Sequence, residues 1–76
     1  MIKELDTVVL SRHLPDYGLK RGDIGAVVHS YKEAEGFEVE FITGHGGTLA
    51  VVTLNIKDVR LMDDKEILHV RSLEAA

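Results

Sequence analysis

Seventy-six residues with nine basic and thirteen acidic side chains make one small acidic domain of net charge −4. That balance weighs against a general nucleic-acid binder, whose affinity comes mainly from cations on phosphates, and the lack of cysteine excludes disulfides and thiolate metal sites. A chain this short buries only about 60% of its unfolded surface, so a partner commonly adds to its stability.

The N-terminal stretch Met1-Ile2-Lys3-Glu4-Leu5-Asp6 carries acids where a signal peptide has its apolar run, and no segment approaches the roughly 20 apolar residues of a membrane span. The expected location is the cytoplasm. The chain reads as short strands joined by turns. The first strand is expected over residues 6–11, followed by a polar loop, 12–21, in which Pro15 and Gly18 argue against a regular element. Leu14, Tyr17 and Leu19 are expected to pin that loop to the core. Gly22-Asp23 suits a tight turn, because glycine accepts a positive φ and aspartate bonds nearby backbone.

The second strand spans 24–31, and Gly25 inside it suggests a bulge or a sharp bend. A turn is expected at 32–36. In the third strand, 37–41, Phe37, Val39 and Phe41 alternate with Glu38 and Glu40, the period of a sheet with one buried and one wet face. Thr43-Gly44-His45-Gly46-Gly47 signals a hairpin with His45 exposed at its tip. The fourth strand is 48–54. Residues 55–58 suit a single helical turn capped by Asn55, ahead of a fifth strand at 59–61. Beyond it, Asp63 and Glu66 have the spacing of a helix start, while 66–71 fits a sixth strand equally well. Together these elements describe an all-β, five-stranded SH3-like barrel over residues 1–61 with a one-turn helix before the last strand. A short C-terminal extension, 62–76, would pack on the barrel or on a partner. An oligonucleotide-binding barrel is the rival, with strands usually longer than these and a longer chain.

Leu5-Asp6-Thr7-Val8-Val9-Leu10, Leu14-Pro15, the run from Gly18 to Val28, Tyr31, Glu38-Val39-Glu40-Phe41, Thr53-Leu54 and Asp58-Val59-Arg60 resemble a family of short bacterial proteins, common in cyanobacteria, catalogued as a domain of unknown function. The resemblance covers roughly residues 4–61. It implies an SH3-like barrel and no established activity. Some relatives stand beside small partner proteins in paired, toxin–antitoxin-like gene arrangements, which implies a partner-binding role. No functional residue carries over. The Gly22-Asp23-Ile24-Gly25 core is also similar, over a short span, to the KOW element of ribosomal and transcription-factor barrels.

The chemistry-bearing residues are scattered. His13, His29, His45 and His69 have no paired spacing for a metal, and Ser11, Ser30 and Thr53 sit on no strand-to-helix elbow. Glu38 and Glu40 share the outer face of the third strand, where a solvated face is the better reading than an acid–base pair. The glycines at 44–47 precede a strand, whereas a phosphate cradle precedes a helix. No catalytic residue, metal or cofactor is read from the sequence, and the chain is not expected to be an enzyme. Arg12, His13, Lys20 and Arg21 bracket the first loop and carry the alternative function, a KOW-like RNA-binding accessory domain. Only Tyr17 and Tyr31 lie near them to stack on bases, and the same shortage of aromatics argues against proline-rich peptides.

The informative excess is apolar. Leu49-Ala50-Val51-Val52-Thr53-Leu54 is apolar on both faces, and the second strand offers Ile24, Ala26 and Val28 on one side with Val27 and Tyr31 on the other. A single interior leaves one such face to be covered, in part by Ile67, Leu68 and Val70 of the extension and for the rest by a second copy or a different protein. The reading is a non-catalytic protein-interaction module whose partner is another protein or a second copy, with Val27, Tyr31, Val52, Ile67 and Val70 lining the contact. Val52→Asp is then expected to change the oligomeric state without unfolding the domain. The competing reading has the first loop and the extension covering everything in cis.

Overall fold

The computed structural model describes residues 1–31 and 36–73. Its five strands, β1 (Thr7–Leu10), β2 (Ile24–Tyr31), β3 (Gly36–Ile42), β4 (Thr48–Asn55) and β5 (Val59–Leu61), form one antiparallel sheet in the order β4-β3-β2-β1-β5. Strands β1 to β3 each pair with the next in sequence, β4 ends the sheet, and β5 returns to β1. The protein is all-β, as its alternating strand and short turns imply. The turn expected at 32–36 lies largely outside the described residues.

The parity of the sheet is decided by β3. Phe37, Val39 and Phe41 are buried while Glu38 and Glu40 are half-buried on the other side. Residues opposite one another on neighbouring strands share a face. Val39 stands opposite Val27 of β2 and Val52 of β4, so both valines point inward with it, at 0% and 5% exposure. Val27 and Val52 are therefore core residues and line no surface, contrary to the expectation from sequence. Tyr31, expected on the same side as Val27, lies on the opposite one. A bulge between Val27 and His29 inserts Val28, and the extra residue reverses the alternation beyond it. Inward residues of all five strands join Leu14 and Leu19 in one cluster, which requires the sheet to curve around its own interior.

Gly25 is not at the bulge, which falls three residues later. It sits inside, opposite Val8 of β1, where Val39 and Phe41 crowd its backbone. The Gly22-Asp23 turn forms as expected: Gly22 has φ 94°, Asp23 N–H donates to Lys20 O, and the Lys20 N–H donates to the Asp23 carboxylate. In the first loop Leu14 and Leu19 pair through two main-chain hydrogen bonds and are buried. Tyr17 is half exposed, and the loop holds a short 3-10 turn, Pro15–Tyr17, because Pro15 suits a first helical position and Gly18 closes the turn at φ 69°. Residues 56–58, in contrast, make a hydrogen-bonded turn with no helix, although Asn55 caps it as anticipated by accepting from the Lys57 N–H. Residues 62–73 form neither the helix nor the sixth strand weighed for them. No helix among the described residues is long and apolar enough to cross a membrane.

Candidate docking groove

Residues 62–73 run as an irregular strap over one end of the sheet, held by two arginines. Met62 N–H first extends the pairing of β5 with β1 by donating to Thr7 O. Arg60 then grips Glu66 with two hydrogen bonds, 2.8 and 2.7 Å. Glu66 also accepts from the Asp63 N–H at 2.7 Å, which is half of a capping box. The helix start read from sequence is thus built locally, but no helix propagates from it. One turn is a costly nucleus, and the strap is pulled straight by its second anchor.

That anchor is Arg71. Its Nε and Nη2 donate to the two carboxylate oxygens of Asp23 at 2.7 and 2.6 Å, and Nη2 also donates to Gly18 O at 3.0 Å. A planar guanidinium meeting both carboxylate oxygens is the strongest ordinary form of ion pair. Both side chains are largely shielded, 28% exposed for Arg71 and 16% for Asp23. Burial pushes Asp23 up, but the Arg71 guanidinium and the Lys20 N–H outweigh it and hold the carboxyl below its usual range. For Glu66 the Arg60 guanidinium, then the Asp63 N–H, bring the value down to about 2.

These shifts set a pH window. A carboxylate whose folded pKa lies below its unfolded value stabilises fully above the unfolded value and loses that contribution as pH falls through the folded one. The strap is therefore held at neutral pH, and the Glu66 anchor lets go between its ordinary 4.5 and about 2. The NMR chemical shifts of residues 67–73 should move toward random-coil values as pH falls across that interval. A strap released on raising the pH above neutral would contradict these anchors.

Between the strap and the β3–β4 hairpin lies an open groove of about 580 Å³. Ile24, Phe41, Ile42 and Leu49 line the sheet side, Leu68, Val70 and Leu73 the strap side, and the Asp23–Arg71 pair joins the two walls. Much of this lining faces water: Ile42 is 61% exposed, Leu68 70% and Val70 88%, with Ile67 beside them at 84%. Of the surface residues anticipated from sequence, Ile67, Val70 and Tyr31 are exposed as expected. Val70 lines the groove, while Tyr31 stands on the outer face of β2 with His29, their rings 4.6 Å apart.

Ile42 and Leu49 were missed. Ile42 keeps the outward parity of Glu38 and Glu40, so an aliphatic at a wet position was the available signal. Leu49 is the extra residue of a second bulge, at the hairpin end of β4. The Asp23–Arg71 clamp joins residues 48 positions apart and left no local trace.

A family model described as Domain of unknown function (DUF4926) matches residues 4–61. The chain belongs to the DUF4926 family. No curated protein matches it. No solved structure does either. The matched span of this DUF4926 protein takes in all five strands and the sheet wall of the groove, and it stops at Leu61, before the strap.

Of the cations named for the alternative reading, Arg12 is held by the turn that precedes β5. Arg12 Nε donates to Asp58 at 2.6 Å. Burial works to raise Asp58, but the Arg12 guanidinium and the Asn55 N–H hold its carboxyl low. His13 Nδ1 accepts the Arg21 N–H at 3.0 Å, and Lys20 lies in the Asp23 turn. So the loop does fold His13 back on Arg21, and Arg12 is paired with Asp58. On the outer face, Glu38 and Glu40 accept from the hydroxyls of Thr53 and Thr48. The Thr53 hydroxyl, then that of Tyr31, hold Glu38 low. Among the described residues no three His, Asp or Glu side chains converge as metal ligands.

Proposed function

We propose that this DUF4926 protein is a non-catalytic protein-interaction module on an SH3-like barrel, the partner-binding member of a paired, toxin–antitoxin-like system. The strand order, a meander whose last strand returns to the first, supports the barrel reading. The partner enters the groove between strap and hairpin as an extended apolar segment. One observation carries this: two arginine anchors spread Ile67, Leu68 and Val70 along a strap that leaves all three largely in water. Aliphatic side chains clustered in this way mark interaction surfaces.

Capture from a native lysate with the purified chain as bait tests it. Leu68→Asp/Val70→Asp removes two side chains worth about 1.5–3 kcal/mol each when buried, and should cut the captured partner at least about 100-fold. Arg12→Ala/Arg21→Ala should leave capture unchanged. Equal capture by the Asp variant overturns the groove. An RNA bound at low salt and lost in the Arg variant would favour the nucleic-acid reading instead.

A further inference from the structure

A second surface, which meets the groove at Leu49, is the free edge of β4. Among the described residues β4 pairs with β3 alone. Edge strands left open usually carry a protecting device such as a charge, a proline or very short length. The opposite edge has two: β5 is three residues long and carries Arg60. β4 runs for eight residues, and beyond the bulge at Leu49, which sits at its hairpin end, Ala50-Val51-Val52-Thr53-Leu54 contains neither charge nor proline. Its outward side chains Leu49 and Val51 are 37% and 51% exposed.

We propose that β4 is the site at which two copies of this chain pair, antiparallel, to make one continuous ten-stranded sheet. A two-fold axis near Val51 sets Val51 against its counterpart and Val52 against Ala50 of the other copy. Such an isologous contact must tolerate its own charges. Among the described residues the nearest acid to the axis is Glu40, opposite Val51 on β3. The two copies of Glu40 then stand three strand spacings apart, roughly 14 Å, beyond the Debye length of about 8 Å at physiological salt. An acidic chain can thus meet itself along this edge without opposing like charges.

The outward aliphatic surface of the edge is limited to the partly exposed side chains of Leu49 and Val51, well short of the roughly 800 Å² per partner in a standard interface. Main-chain hydrogen bonds carry the pairing, and it is weak and concentration-dependent.

Sedimentation of the full chain from about 5 to about 500 µM reads this directly. The mass should rise from 8.4 kDa toward twice that value. Val51→Asp sets two carboxylates face to face across the axis, each beside the Glu40 of its own chain, and should hold the mass at 8.4 kDa with the sheet signal in circular dichroism intact. Val70→Asp, in the groove, should associate like the wild type. If Val51→Asp fails to fold, Thr53→Asp replaces it at the next outward position. A wild type that stays single at the highest concentration overturns the proposal, as does a folded aspartate variant at Val51 or Thr53 that still doubles.

Discussion

Gly25→Ala is expected to lower the thermal unfolding midpoint by roughly 10 °C, a large effect for one methyl group. A Cβ at Gly25 would lie 2.6 Å from Val39 Cγ1, 2.9 Å from Phe41 Cε1 and 3.0 Å from the carbonyl oxygen of Glu40. The last of these belongs to the β3 backbone, so relief requires moving a strand. Replacing glycine where its φ is ordinary normally stabilises by about 0.4–1 kcal/mol through the unfolded chain. Overpacking a tight interior costs about 1–3 kcal/mol, so the crowding wins by about 1–2 kcal/mol, and each kcal/mol moves the midpoint of a domain this size by about 4–8 °C. Gly44 makes the control: nothing lies within 4 Å of its Cβ position and its φ is not positive, so Gly44→Ala should leave the midpoint within a few degrees. Equal midpoints for the two variants would mean that Gly25 does not face the interior.

Val52→Asp should abolish the folded state at neutral pH, while Val51→Asp, one residue away, should leave the chain folded. Val52 is 5% exposed and faces Val39. A carboxylate there has no partner, and an uncompensated buried charge costs about 3–5 kcal/mol. A domain of this size has only about that much stability to lose. Val51 is half exposed and pays no such desolvation. Burial raises the pKa of an introduced aspartate, so acid should recover part of the lost structure by neutralising it. A folded, cooperative Val52→Asp at neutral pH would restore the outward assignment that the register of β4 contradicts.

That contrast shows where the sequence could be read and where it could not. The strands at 24–31 and 59–61 and the glycine hairpin at 43–47 were legible, because period, turn chemistry and breakers all act locally. The alternation of Phe37, Val39 and Phe41 even assigned the faces of β3. It could not assign those of β2 and β4, whose runs are apolar on both sides. Only the cross-strand register transfers β3's parity to Val27 and Val52, and the bulge at Val28 reverses it before Tyr31. Register is a property of two strands, and one strand read alone does not contain it. The strap shows the same limit. Asp63 and Glu66 announced a capping box and formed half of one, but the pull of Arg71 on Asp23 is a contact between distant segments. Hence the apolar excess was visible, but Ile67, Leu68 and Val70, expected to cover part of the sheet, stand largely in water, and the groove that Leu68 and Val70 line arises from contacts between distant segments.

The most direct test of this account asks which aliphatic side chains water reaches. Carbene footprinting of the full chain, diluted until the copies are separate, should label Ile42, Val51, Ile67, Leu68 and Val70 and spare Val27, Val39 and Val52. Labelling of Val27 and Val52 with protection of Leu68 and Val70 would contradict it, for the greasy face would then lie on the other side of the sheet.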